Sequence, residues 1–427
     1  MSPLPDGSRL HVLVVGGGGR EHALAWACQR SPLVERVSCA PGNAGTLGLG
    51  QNHPISATDA EGIVALALSD QVDLVVLGPD AAVAAGVGDA LSRANVPCFG
   101  PSRQAGRLES SKSFAKELMQ RSGVATPAFA VFDEHGKATE HLLRRGAPVV
   151  VKADGPALGK GAFVCRTVED ATAALDRLML RRELGAAGEQ VVIEEFLEGE
   201  EVSFFAICDG ESAVMLPPAR DYKRALDGDL GGMTGGMGSF APASPDRWPE
   251  LNRQVREEIV KPTLAELRRL GTPYRGCLYV GAMLVAETIQ VLEFNARFGD
   301  PETEVQLPLL PDLVPVLWQS AMGELEAPDP QPTQGACVGV VAVRDPYPEA
   351  IEVGGAVHGL EAAEELGCLV FQMGTRAPNA GVVEVAGGRV LICAALADHR
   401  ETARQRAYLG LAAISFPGMR YRLDIGA

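Results

Sequence analysis

The run from Val291 to Glu302, Val-Leu-Glu-Phe-Asn-Ala-Arg-Phe-Gly-Asp-Pro-Glu, sets a carboxylate, an amide, a guanidinium and a second carboxylate close together. Glu293 and Asn295 lie two apart on an expected strand, so both oxygens point to one face, as a hard cation such as magnesium requires. Arg297 and Asp300 follow at once. A strand with a polar solvent face accounts for the first two but not for the cation, glycine and acid beyond them. A second center of chemistry is Lys152, which follows the apolar run Val149–Val151, where an ammonium is costly to bury without an anionic partner. The turn after it, with Gly155, Gly159, Lys160 and Gly161, reads as a flap over phosphate. It is not a Walker loop, because Gly161 stands where Ser or Thr is needed, and an ordinary surface turn remains the alternative.

Two further glycine-rich stretches stand out. Gly16, Gly17, Gly18 and Gly19 lead into Arg20 and Glu21 at an expected helix start, whose N–H groups favor an anion. A dinucleotide fits poorly, since Glu21 replaces the third glycine of the fingerprint and the next strand ends in Pro41-Gly42-Asn43 without an acid for a ribose. A smaller phosphate ester fits better, and His22 reads as a packed helix residue. Asp221, Tyr222, Lys223 and Arg224 precede the glycine-rich loop 231–239, which can wrap closely around a ligand. Glu194, Glu195, Phe196 and Leu197 close an apolar strand and suit an adenosine, although an edge strand with a solvated acidic end has the same pattern.

The elements that must position these groups fall into three regions. Leu10–Val15, Val34–Ala40, Val72–Leu77 and Pro97–Gly100 read as strands alternating with helical segments at 21–30 and 81–94, so residues 1–105 form an open parallel, Rossmann-like sheet. From about Ser110 the pattern is α+β: strands at 149–152, 191–195, 277–285 and 289–295, the last two antiparallel, with an amphipathic helix at 258–270. Residues 324–334 are rich in proline and acid and read as a linker. Strands at 337–343 and 390–396 and a helix at 402–414 follow. The fold class is therefore α/β and α+β, with a small C-terminal α+β domain.

Composition narrows the function classes. A chain of 427 residues, 46% hydrophobic and 22% charged, is globular and too long for one compact core. Its net charge of -16 opposes nucleic-acid binding, which depends on cations that neutralize phosphates. Nine scattered cysteines, with no C-x-x-C pair, suit a reducing cytoplasm. No apolar run reaches the ~18 residues of a membrane span, and no secretion signal is evident.

Taken in order, these stretches resemble the phosphoribosylamine-glycine ligase family, within the ATP-grasp superfamily, over nearly the whole chain. The phrases are Gly-Gly-Arg-Glu-His-Ala at 18–23, Ala-Pro-Gly-Asn-Ala-Gly at 40–45, Ser-Lys at 111–112, Lys-Ala-Asp-Gly at 152–155, Glu-Glu-Phe-Leu at 194–197, Thr-Gly-Gly-Met-Gly at 234–238 and Glu-Phe-Asn-Ala-Arg-Phe-Gly-Asp-Pro-Glu at 293–302. Four places depart from the family pattern: Tyr222 replaces His, Asp80 replaces Glu, Ser110 replaces Gly, and Gly232-Met233 replace Pro-Asn.

The resemblance implies an N-terminal substrate domain (1–105), an ATP-grasp domain (106–325) with a mobile lid at about 126–197, and a C-terminal domain (335–427). It implies ligation of glycine to 5-phosphoribosylamine, with ATP as co-substrate, through glycyl phosphate; another ATP-grasp carboxylate-amine ligase is the alternative. ATP would meet Lys112, Lys152, Gly159, Lys160, Gly161 and Glu194–Leu197. Magnesium or manganese would sit on Glu293 and Asn295. Arg297, Asp221 and Lys223 are the catalytic candidates, with Arg224 and Asp300 beside them. The ribose phosphate would be held by Gly16, Gly17, Gly18, Arg20, Glu21, Gly42, Asn43, Gly78, Pro79 and Asp80. A cytoplasmic monomer is expected, with neither nucleic-acid nor membrane partners.

Overall fold

The computed structural model describes residues 9–157, 161–286, 288–333 and 335–427. Strands β1 (Leu10–Gly16), β2 (Val34–Pro41), β3 (Gln51–Asn52), β4 (Leu74–Leu77) and β5 (Cys98–Phe99) form one parallel sheet in the order β3-β2-β1-β4-β5. Every residue of β1 is buried, as expected of a strand covered on both faces. The order reverses at β1, so the turns after β1 and β4 flank the crevice at the carboxyl ends where α/β sheets bind ligands. The expected helix at 21–30 is observed as Gly19–Gln29, and the alanine-rich segment divides into Asp80–Ala85 and Val87–Arg93.

Strands β6 (Phe129–Phe132), β7 (Val149–Ala153), β8 (Ala162–Cys165) and β9 (Val191–Glu195) make a small antiparallel sheet in the order β6-β9-β7-β8. With helices His135–Arg145 and Val168–Leu175 it encloses a core of its own, built on Leu142, Val151, Leu175 and Ile193.

The remaining strands are β10 (Glu200–Asp209), β11 (Ala213–Asp221), β12 (Arg224–Leu226), β13 (Leu230–Met233), β14 (Gly238–Ala241), β15 (Arg275–Val285), β16 (Thr288–Asn295), β17 (Ala336–Arg344), β18 (Leu369–Gln372), β19 (Thr375–Asn379), β20 (Val382–Val385), β21 (Arg389–Ala397) and β22 (Met419–Arg420). Apart from the hairpins β12–β13 and β19–β20, they form one sheet, β16-β15-β10-β11-β14-β17-β21-β18, with β22 on β17. Antiparallel pairing of β14 with β17, from Gly238↔Val340 to Ala241↔Cys337, carries this sheet unbroken across the expected linker into the C-terminal region. The linker is pinned as well, because Asp329 accepts from Met215 N at 2.9 Å and from Arg256 at 2.8 Å. All nine cysteines are free, and among the described residues no helix is long and apolar enough to cross a membrane.

Candidate active site

A cleft of about 1300 Å³ opens between the parallel sheet, the small sheet and the long antiparallel sheet. On one side of the cleft, Ser111 caps helix Lys112–Ser122 by accepting from Phe114 N, and Asp154 ties the same helix start to the end of β7 through Ser113 N at 2.6 Å. That junction brings Lys112 and Lys152 to one wall. Lys152 Nζ lies 2.9 Å from Glu194 Oε2 and donates to Leu292 O at 3.1 Å. The other Glu194 oxygen stands 3.2 Å from Lys116 Nζ, which also donates to Thr126 Oγ1 at 2.6 Å. Burial lowers the Lys116 pKa to about 8 even though Glu194 pulls it upward, with the nearby Lys152 adding to the drop. Glu195, Phe196 and Leu197 continue the wall beside the apolar Val150, Met283 and Leu292, and the Arg166 guanidinium lies 4.2 Å above the Phe196 ring. Of the turn 155–161, Pro156, Ala157 and Gly161 line the cleft, whereas Gly159 and Lys160 lie outside the described residues.

Glu293 and Asn295 stand on β16 opposite Gly281 and Tyr279 and share the cleft wall. Burial raises the Glu293 pKa, but Lys223, Lys152, Lys112 and Arg297 outweigh it, so the net shift is downward. Arg297 bonds the Asn295 side-chain oxygen at 3.3 Å and pairs with Glu109 at 3.0 Å, while Ala296 N donates to the second Glu109 oxygen at 2.7 Å. Across the cleft, Lys223 pairs with Glu201. Asp221 is pushed well above its ordinary pKa, first by burial and then by the charge of Glu302, and its Oδ1 has no hydrogen-bond partner. Asp300 Oδ1 lies 2.8 Å from Arg389 of the C-terminal region.

The structure thus brings Arg20, Asp80, Lys112, Lys152, Gly161 and Glu194–Leu197 together with Asp221, Lys223, Glu293, Asn295, Arg297 and Asp300. It does not bring Gly16, Gly17, Gly18, Glu21, Gly42, Asn43, Gly78, Pro79 or Arg224 to the described cleft wall. The reason lies in Glu21. Its carboxylate accepts from Gly18 N at 2.6 Å and from Arg20 Nε at 2.6 Å, buried so close to Gly16 and Gly78 that a Cβ on either would strike it. The glycines therefore make room for a protein carboxylate at the helix start. Asn43 is likewise turned inward, donating to Gln372 O at 2.7 Å and Gly17 O at 3.1 Å while its oxygen accepts from Gly45 N and Thr46 N. Arg224 donates to Gly231 O within the β12–β13 hairpin. His22 is a packed residue as expected: its Nδ1 accepts from Gln372 N at 2.8 Å, and burial lowers its pKa to about 4.

Sequence reasoning overlooked Lys116, Glu109, Glu302, Tyr279, Tyr347 and Arg389, all on the cleft wall. Lys116 was within reach, since it lies one helical turn beyond Lys112 and so on the same face. Arg389 was not, because nothing local to Gly387-Gly388-Arg389 points to a partner so distant in sequence.

Three parts of the chain match, in order, the N domain (residues 10–109), the ATP-grasp (A) domain (110–303) and the C domain (337–427) of phosphoribosylglycinamide synthetase. The chain belongs to this family. It is 45% identical over 424 residues to a phosphoribosylamine-glycine ligase from a Nostoc species, covering 98% of this chain and 99% of that protein. The crystal structure of phosphoribosylamine-glycine ligase from Thermotoga maritima superposes with a TM-score of 0.84 at 34% identity, over 97% of this chain and 100% of that one. A biotin carboxylase domain from Hydrogenobacter thermophilus, solved with magnesium ADP and bicarbonate, shares the fold at a TM-score of 0.72 and 16% identity, over 96% of this chain and 91% of that one. The three matched segments follow the family order N, A, C along the chain, and Tyr222, one of the departures from the family pattern, is buried with its hydroxyl accepting from Gly426 N at 3.1 Å.

Proposed function

We propose that this chain ligates glycine to 5-phosphoribosylamine with hydrolysis of ATP to ADP and phosphate, as an enzyme of purine synthesis. The observation that carries the reading is the gathering of Lys112, Lys152, Glu293, Asn295, Asp221, Lys223 and Arg297 around one cleft in a chain of this family.

The first step is attack of a glycine carboxylate oxygen on the γ-phosphorus, with ADP leaving and glycyl phosphate forming. The amine nitrogen of phosphoribosylamine then bonds to the acyl carbon, the bond from that carbon to the phosphate oxygen breaks, and the nitrogen gives up a proton, leaving the amide and inorganic phosphate. The obstacle in the first step is anion approaching anion: at ~4 Å, two unit charges repel by roughly 4 kcal/mol at an effective dielectric near ~20. Lys112 and Lys152 offset that repulsion on the nucleotide side, and Glu194 fixes the Lys152 ammonium. Asp221, whose Oδ1 lacks a hydrogen-bond partner, suits the glycine ammonium, and Arg297 suits its carboxylate. Arg20 and Asp80, at the switch point of the parallel sheet, are assigned to the ribose phosphate and hydroxyls.

A divalent magnesium or manganese ion fits Glu293 and Asn295, which offer hard oxygen donors, and the lowered Glu293 pKa favors the ionized form. Glu293 and Asn295 are too few donors for such an ion by themselves, so it would be held jointly with the bound nucleotide. Bound there, the ion would neutralize charge on the transferring phosphoryl group. Acyl phosphates hydrolyze readily, and the four-stranded sheet, with its separate core, is the unit suited to close over the cleft and exclude water. Free cysteines throughout suit a cytoplasmic enzyme, here taken as a monomer.

The test is phosphate release from magnesium ATP with glycine alone, with phosphoribosylamine generated in place, and with both. Release that needs both, together with a new glycine-containing ribonucleotide, is expected. Release with a different acid or amine would move the substrate assignment, and ATP binding without release under any mixture would remove the ligase reading.

A further inference from the structure

Gly235 is gripped at both ends of its peptide by the C-terminal region. Its N–H donates to Tyr347 Oη at 3.1 Å, and its carbonyl accepts from Arg389 at 2.7 Å. The same guanidinium nitrogen lies 2.8 Å from Asp300 Oδ1 and donates to Asp300 O at 3.2 Å. Both gripping residues are held in turn. The Tyr347 ring packs against Gly388, and Arg389 opens β21, which is paired on both sides by β17 and β18.

The gripped turn is bonded directly to the segment that presents the catalytic candidates. Thr234 donates to Lys223 O through its N–H at 2.8 Å and its hydroxyl at 2.9 Å, and Met237 N donates to Tyr222 O at 2.8 Å. Gly236, at φ +112°, comes so near that a Cβ there would stand 2.7 Å from Asp221 Oδ1. A shift at Gly235 therefore reaches Asp221 and Lys223 through one neighboring residue on either side. The nucleotide wall stands on other elements, namely helix Lys112–Ser122, β7 and β9.

We infer that Tyr347 and Arg389 are positioning residues for the small zwitterionic amino acid, acting through Gly235 on Asp221 and Lys223 and through Asp300 directly. The C-terminal region is then a structural part of the amino-acid half of the site, and its grip leaves nucleotide binding untouched. This rests on the ligase reading given above.

The experiment is a pair of KM measurements, for glycine and for ATP, on the full chain and on Tyr347→Phe, Arg389→Ala and Arg389→Lys. Tyr347→Phe removes one hydrogen bond and keeps the ring, and is expected to raise the glycine KM by about fivefold while the ATP KM stays within about twofold. Arg389→Ala is expected to raise the glycine KM by at least about tenfold. All the Arg389 bonds come from one nitrogen, so Arg389→Lys is expected to recover most of that loss. A rise in both KM values together, or in neither for Tyr347→Phe, overturns the inference. If the unaltered chain releases phosphate from ATP without needing glycine, the ligase reading fails instead and takes the inference with it.

Discussion

The Glu194 carboxylate and the Lys152 ammonium face each other at 2.9 Å across the paired strands β7 and β9, and both are largely buried at the cleft wall. A lysine there is stable because Glu194 compensates it, and Glu194 is compensated a second time by Lys116. Lys152→Ala therefore leaves the carboxylate with one cation. It is expected to cost at least about 100-fold in ATP turnover, since a charge aimed at the phosphates is gone, while the chain stays folded. Turnover assays alongside thermal unfolding separate the two effects, and near-normal turnover would remove the nucleotide assignment.

Lys116 makes the pH dependence specific. Burial has brought its pKa to about 8, so it is a cation below that pH and neutral above it. A cation on this wall favors binding of polyanionic ATP, so kcat/KM for ATP is expected to fall as pH rises through about 8. The free enzyme governs that profile. Lys116→Arg, which stays charged, is expected to carry the plateau to higher pH; an unchanged alkaline limb in that variant would show that another group is responsible.

Legibility of the sequence followed the range of the forces involved. The parallel sheet and the β15–β16 pair were readable because burial writes a local apolar pattern, and the common face of Glu293 and Asn295 was readable because a strand fixes which side chains point the same way. Glu21 shows what local reading misses. A glycine turn before a helix has the same letters whether it cradles a ligand's phosphate or the chain's own carboxylate, and only the packing of Gly78 against Glu21 separates the two. The β14–β17 pairing that joins the central and C-terminal regions, and with it Arg389, depends on contacts between residues about a hundred positions apart, which no short pattern records.

Asn43 provides a test of that distinction. Its side chain bonds Gly17 O, Gln372 O, Gly45 N and Thr46 N, joining the turn after β1 to β18 of the C-terminal region. Asn43→Ala strands several of these groups and is expected to destabilize the fold by about 2–4 kcal/mol. The KM for phosphoribosylamine should change little in the fraction that remains folded. Denaturant unfolding and substrate titration read the two quantities apart, and a large KM change at unaltered stability would return Asn43 to the substrate site.

His22 carries the same interface into acid. Its Nδ1 accepts from Gln372 N, a bond that requires the ring nitrogen to be unprotonated, and burial holds its pKa near 4 against an ordinary value of 6.5. Between these values the unfolded chain binds a proton that the folded chain does not, so stability falls as pH drops from 6.5 toward 4. The shift corresponds to about 3 kcal/mol of stability, present in full above pH ~6.5 and lost by pH ~4. His22→Gln removes the titrating group and retains a side-chain acceptor, so its unfolding free energy should change less over that interval. Urea unfolding at a series of pH values measures this directly, and equal acid slopes for the two proteins would mean that the ring does not titrate as its burial requires.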